Sequence, residues 1–190
     1  MEIKILEWIN ANLHGSDFVN FVMKCISYLA EWGWCWLVLG VVLLCFKRTR
    51  KCGFILICGY GAVVVINHFI LKNVINRARP FTQSSALAEF IQSIGMSLPT
   101  SSSFPSGHTA VSFCSAVILT YYFKGKGAWA FLPATLIAIS RVFLCLHYPT
   151  DVLGGMMIGI IIGIITLLCG KLLFYIIDKI KSKQTKKEID

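Results

Sequence analysis

Five apolar runs, each bounded by polar or charged residues, constrain this chain more than anything else in it. They cover residues 32–46, 53–71, 109–123, 128–146 and 152–177. A hydrocarbon core ~30 Å thick takes about 20 helical residues, a length the shorter runs reach with their flanking residues. Hydrophobic residues make up 56% of the chain and charged ones 14%, against roughly 25% charged in an ordinary soluble domain. The expected fold is an all-α integral membrane protein, a bundle of five to six transmembrane helices. One membrane-embedded domain over residues 1–190 is expected, with a lead-in at 1–30, a helical core at 31–177 and a basic tail at 178–190.

The lead-in has helical spacing but carries charges. Ile3, Ile5, Leu6, Ile9 and Leu13 recur on one face, and Phe18, Phe21, Val22, Cys25, Ile26 and Leu29 do so after a break at residues 14–17. Ser16 or Asp17 suits the N-cap of the second segment. Glu2, Glu7 and Asn10 interrupt the first, so it lacks the apolar core of a signal peptide. Both segments read as amphipathic helices in the interface, with a short extra span over residues 18–30 left open. Trp32, Trp34 and Trp36 suit an aromatic belt at one end of the first run.

Basic residues set the orientation. Lys47, Arg48, Arg50 and Lys51 lie between two runs and Lys124 and Lys126 between two more, while Lys179, Lys181, Lys183, Lys186 and Lys187 follow the last. Cytoplasmic ends of membrane helices are enriched in this way, so the net charge of +9 needs no nucleic acid partner; anionic lipid accounts for it. A multi-pass protein of the plasma membrane with a cytoplasmic C-terminus follows. The polar junctions at 72–108 and 147–151 then share the extracytoplasmic face with the N-terminal region. In the outer segment after Pro80, Leu87, Phe90, Ile91 and Ile94 form an i, i+3, i+4, i+7 stripe. It suggests an interfacial helix on the outer face, either a lipid gate or a connector packed on the bundle.

Charged groups at membrane depth are costly and mark function. Lys72, Arg79 and Arg141 form a receptor for a multiply charged anion, and arginine's planar fork suits phosphate oxygens. Ser106 and Gly107 follow Pro105 and open an apolar helix, offering a hydroxyl and a backbone N–H where the helix dipole favours anions. Of two histidines, one neutral imidazole can attack phosphorus while the other protonates the departing oxygen. Asp151, four residues after His147, is placed to orient it; His108 has no carboxylate nearby in sequence and suits the acid. No grouping of carboxylates, histidines and cysteines suggests a metal site, and no cofactor is implied.

These residues also resemble a family. Lys72 with Arg79 and Pro80 fits K-x6-R-P, Pro105 to His108 reads P-S-G-H, and Ser140, Arg141, His147 and Asp151 fit S-R-x5-H-x3-D. Three motifs in this order resemble the signature of the type 2 phosphatidic acid phosphatase superfamily. The resemblance implies that His147 is the nucleophile forming a phosphohistidine, that Asp151 orients it, and that His108 is the general acid that later activates water. Lys72, Arg79, Ser106, Gly107 and Arg141 would hold the phosphoryl oxygens, with no metal. The substrate would be a lipid phosphate or diphosphate, with undecaprenyl diphosphate first and phosphatidate or phosphatidylglycerophosphate as alternatives. A non-enzymatic anion transporter is a distant third, since no internal repeat is evident.

The remaining polar residues have plainer readings. His14 and His68 are expected to be structural, Arg77 interfacial, and Asn67, Asn73 and Asn76 engaged in packing or headgroup contact. The eight cysteines are scattered through apolar runs without a C-x-x-C pair and read as small packing residues. Gly155, Gly159 and Gly163 repeat every four residues, a ridge for close helix packing within the chain.

Overall fold

The computed structural model describes residues 1–189, leaving out the side chains of Trp32, Lys183 and residues 185–189. Trp32 of the expected belt and Lys183, Lys186 and Lys187 of the basic tail therefore lie outside the described side chains. Every regular element among the described residues is helical.

The two lead-in segments form α1 (Glu2–Leu13) and α2 (Asp17–Leu29), with Ser16 at the N-cap of α2. A bend of 48° separates α2 from α3 (Trp34–Cys45), and the two together are apolar enough to make one broken span. The bend falls where Gly33 takes a left-handed conformation. Next, α4 (Arg50–Val63) passes without a gap into a π-helical stretch (Val64–Leu71) and then α5 (Lys72–Ile75). The stripe around Leu87 forms α6 (Ser85–Ser93). The last three helices are α7 (Gly107–Phe123), α8 (Phe131–Phe143) and α9 (Pro149–Ile189).

Two helical stretches, Arg50–Thr82 and Pro149–Ser182, are long and apolar enough to cross a membrane, or three with the bent pair. Five runs were expected to span. The difference lies in α7 and α8, whose 17 and 13 residues rise about 26 and 20 Å. Part of the run before α8 is spent in a tighter 3-10 stretch, Lys124–Ala130. The outward faces remain apolar: Leu132, Leu136 and Ile139 on α8, and Leu153, Met157, Ile161 and Ile164 on α9, are exposed. Lipid rather than water suits such a surface.

The axis of the bundle is α7. It is apolar nearly all round, as a central helix is, and Thr109 to Ala116 are buried without interruption. The glycine ridge of α9 lies on it. A Cβ at Gly155 would come 2.5 Å from the Ser106 carbonyl oxygen and one at Gly159 2.3 Å from that of Ala110, so the ridge serves packing inside the chain. Trp36 is not on a belt: it is buried in the core and donates to Ser112 Oγ at 3.0 Å. Trp34 is exposed.

A second apolar cluster caps one end of the bundle, joining Leu6 of α1, Leu87 and Ile91 of α6, and Phe143 to Leu146 at the end of α8. The fully buried Leu87 and Ile91 make α6 a packed connector. Toward the other end Lys51 pairs with Asp178 at 3.8 Å, and Lys171 lies 4.4 Å from the Tyr121 ring centre.

Candidate active site

The ends of four helical stretches meet at the capped end of the bundle, and this is why residues far apart in sequence converge there. Asn76 adopts a left-handed conformation (φ 42°) after α5, which asparagine tolerates better than most residues. The chain thereby turns back after Lys72 and carries Arg79 under the same roof. Gly107 and His108 open α7, Arg141 lies in the last turn of α8, and His147 occupies the turn before α9.

A cavity of about 220 Å³ is lined by Lys72, Arg79, Gly107, His108, Arg141 and His147, among others. Arg79 is held rigidly: Nε donates to the Ser101 carbonyl at 2.7 Å, Nη2 to Ser101 Oγ at 3.1 Å and Nη1 to the Leu146 carbonyl at 3.1 Å. Lys72 Nζ reaches the same Ser101 hydroxyl at 3.2 Å. Arg141 is buried, donates from Nη1 to Ser27 Oγ of α2, and keeps Nε without a protein partner. Three fixed cations and the free N–H groups of a helix start make a strongly anion-attracting wall. Close by Gly107 lies Asn67, whose Nδ2 would sit 3.0 Å from a Cβ there.

Ser106 and Asp151 stand behind that wall. The Ser106 side chain is fully buried and accepts from Thr109 Oγ1 at 3.0 Å, while its backbone N–H donates to the Asp151 carbonyl at 3.0 Å. It therefore ties the start of α7 to α9, and its hydroxyl does not face the cavity as expected. Asp151 lies in the first turn of α9, where a carboxylate is favoured.

The Asp151 carboxylate is already well occupied. Oδ2 accepts from the Tyr148 backbone N–H at 2.9 Å and from Ser103 Oγ, and Oδ1 accepts from Arg77 Nη1 at 2.6 Å. His147 Nδ1 is 3.6 Å from Oδ2, beyond hydrogen-bond length but pointing the ring edge at the carboxylate. Burial holds the His147 imidazole well below its ordinary value, against the pull of Asp151 and with Arg141 and Arg79 adding to the effect. A neutral ring is the result, with a lone pair to offer.

Several partners were not foreseen from the sequence. Arg77, expected at the interface, binds Asp151 and also donates from Nη2 to Glu2 Oε2 at 2.6 Å. Burial opposes ionisation of Glu2, but hydrogen bonds from Thr150 and Arg77 outweigh it and hold the carboxyl below the usual range. Ser101 and Ser103 belong to a polar run, residues 100–103, separated from the P-S-G-H motif only by Phe104; that run was the signal available. For Ser27 no local pattern gave one.

The other singled-out residues fall into place. His14 pins the end of α1 to the end of α8, with Nε2 2.8 Å from the Phe143 carbonyl, and stacks on Phe90. His68 borders the cavity. Asn73 donates within its own helix to the Phe69 carbonyl at 2.9 Å. Among the described residues no three His, Cys, Asp or Glu side chains cluster as metal ligands would.

Residues 52–175 match the profile of the PAP2 superfamily. An undecaprenyl-diphosphatase of Sulfolobus acidocaldarius is 32% identical over 138 residues, which cover 70% of this chain and 63% of that protein. A decaprenylphosphoryl-5-phosphoribose phosphatase of Mycobacterium tuberculosis is 30% identical over 169 residues, 86% of this chain and 88% of the relative. The crystal structure of a transmembrane PAP2-type phosphatidylglycerolphosphate phosphatase from Bacillus subtilis superposes with a TM-score of 0.67 at 27% identity, covering 88% of this chain and 85% of that one.

Proposed function

The chain belongs to the PAP2 superfamily of lipid phosphatases, and from that premise we propose that it hydrolyses undecaprenyl diphosphate to undecaprenyl phosphate and inorganic phosphate. The observation that carries this reading is the single cavity shared by Lys72, Arg79, Arg141, His108 and His147. Two relatives named above are phosphatases named for polyprenyl substrates, undecaprenyl diphosphate and decaprenylphosphoryl-5-phosphoribose, which favours that lipid class. Phosphatidate or phosphatidylglycerophosphate is the second reading, the latter favoured by the superposed phosphatidylglycerolphosphate phosphatase.

In the proposed mechanism the three cations and the Gly107 N–H draw the terminal phosphoryl group against His147. The nitrogen turned away from Asp151 attacks phosphorus, and a P–N bond forms as the bond to the bridging oxygen breaks. His108 gives that oxygen a proton, and the lipid monophosphate leaves. Water then attacks phosphorus, losing a proton to His108; the P–N bond breaks and phosphate departs. Asp151 keeps the attacking ring aimed and stabilises the positive charge it gains. No step calls on a metal or cofactor, and no nucleic acid is involved.

The proposal extends to topology: five to six spans in the plasma membrane forming one phosphatase domain, with α1 and α6 lying at the outer face. The site opens outward and the C-terminus is cytoplasmic. Support comes from the basic loops, which occupy the helix ends remote from the cavity, where Lys51 meets Asp178.

Purified protein in detergent, offered undecaprenyl diphosphate, phosphatidate and phosphatidylglycerophosphate with and without chelator, tests the reading by phosphate release. The diphosphate is expected to turn over fastest and chelator to have no effect. Preference for phosphatidate, or a strict metal requirement, would overturn it.

A further inference from the structure

We propose that Arg77 and Glu2 are positioning residues for the Asp151–His147 pair, so that the N-terminal helix is part of the device that aims the nucleophile. This rests on the roles proposed above for His147 and Asp151. Asp151 is 0% exposed, whereas the Arg77 and Glu2 side chains are 30% and 29% exposed, so the chain of contacts runs from the surface to the buried carboxylate. Surface ion pairs contribute little, but a charge-assisted bond to a buried carboxylate oxygen is another matter.

Both terminal nitrogens of the Arg77 guanidinium have partners. Nη1 bridges Asp151 Oδ1 at 2.6 Å and Thr150 Oγ1 at 2.7 Å, Nη2 holds Glu2, and the guanidinium carbon lies 4.2 Å from the Tyr148 ring centre. The backbone of residue 77 reinforces this hold. Its N–H donates to Ser102 Oγ and its carbonyl accepts from the Ser103 N–H, both at 2.9 Å, and Ser103 Oγ is the donor to Asp151 Oδ2. Glu2 Oε1 accepts from Thr150 N at 3.0 Å and Thr150 Oγ1 at 2.7 Å, satisfying a free N–H at the start of α9. With Oδ1 committed to Arg77, the carboxylate cannot turn, and Oδ2 stays toward His147.

The charges facing Asp151 are Arg77, itself paired with Glu2, on one side and His147, Lys72 and Arg79 on the other, while His147 also faces Arg141, Arg79 and His108. Removing Arg77 takes a positive charge from the carboxylate and strengthens its pull on an imidazole proton. The point at which His147 takes up a proton should therefore move to higher pH.

The test compares Arg77→Ala, Arg77→Lys, Glu2→Gln and the Arg77→Ala/Glu2→Gln pair in the full-length protein. Arg77→Ala is expected to lower kcat on the order of 10- to 100-fold with KM nearly unchanged, and to shift the acid limb of the rate upward. Arg77→Lys recovers part of kcat, and so does guanidinium added to Arg77→Ala. Glu2→Gln is milder and adds nothing to Arg77→Ala. An NMR titration of His147 in wild type and Arg77→Ala needs no substrate, and the same upward shift is expected there. Unchanged kcat and an unmoved His147 titration in Arg77→Ala would overturn the proposal. So would a loss without guanidinium recovery that follows protein unfolding. Lack of turnover in the wild type would strike the functional reading instead, and the titration would still decide this one.

Discussion

Replacing Gly159 by alanine should cost both stability and turnover, although the residue touches no substrate. The added Cβ would stand 2.3 Å from the Ala110 carbonyl oxygen, a backbone atom that cannot swing aside. Ordinary contact begins near 3.5 Å, so α9 and α7 must separate by about 1 Å. Overpacking of that kind costs about 1–3 kcal/mol. Asp151 rides on α9 and His108 on α7, so the same shift opens the distance between their ends, where ~1 Å of misplacement can cost about 100-fold in rate. Gly155→Ala, at 2.5 Å from the Ser106 carbonyl, should behave alike. Gly163→Ala meets its nearest atoms at 3.1 Å and should lose less, and Gly61→Ala meets nothing within 4 Å and should be neutral or gain up to about 1 kcal/mol of helix propensity. Thermal unfolding in detergent with phosphate release on the same samples reads both effects. Equal stability and activity across the four variants would refute the idea that this ridge sets the site's geometry.

Other consequences follow from single contacts. Ser101→Ala releases both Lys72 and Arg79 from their shared hydroxyl and should raise KM about 3- to 10-fold with little change in kcat; steady-state kinetics checks it. Because burial keeps His147 neutral, the acid limb of kcat/KM should fall below the ordinary imidazole value of about 6.5. The unfolded chain takes up that proton more readily, so stability should decline as pH drops below the same value, which pH-dependent unfolding will read. Asp178→Asn breaks an exposed pair with Lys51 and should change stability by less than about 1 kcal/mol.

The cavity wall was legible in the sequence because its residues sit at helix ends, and helix ends can be read from where apolar runs stop. Lys72, His108 and His147 each mark such a stop and Arg141 lies shortly before one, and the alternation of the spans brings these ends to one side. What could not be read depends on where α1 and α2 fold back. Glu2 and Thr150 are 148 residues apart and Ser27 and Arg141 114 apart, and no periodicity encodes such meetings. Trp36 misled because tryptophan favours interfaces, yet its indole N–H found a partner in Ser112 and so could be buried. Ser106 misled differently: a hydroxyl at a helix start can face the ligand or its own helix, and spacing does not choose.

The covalent role of His147 is the centre of this account, and rapid quenching with terminally labelled lipid diphosphate tests it most directly. The wild-type protein should carry an acid-labile, base-stable phosphoryl group within one turnover, located at His147, and His147→Ala should carry none and release no phosphate. Turnover or labelling that survives in His147→Ala would contradict the mechanism.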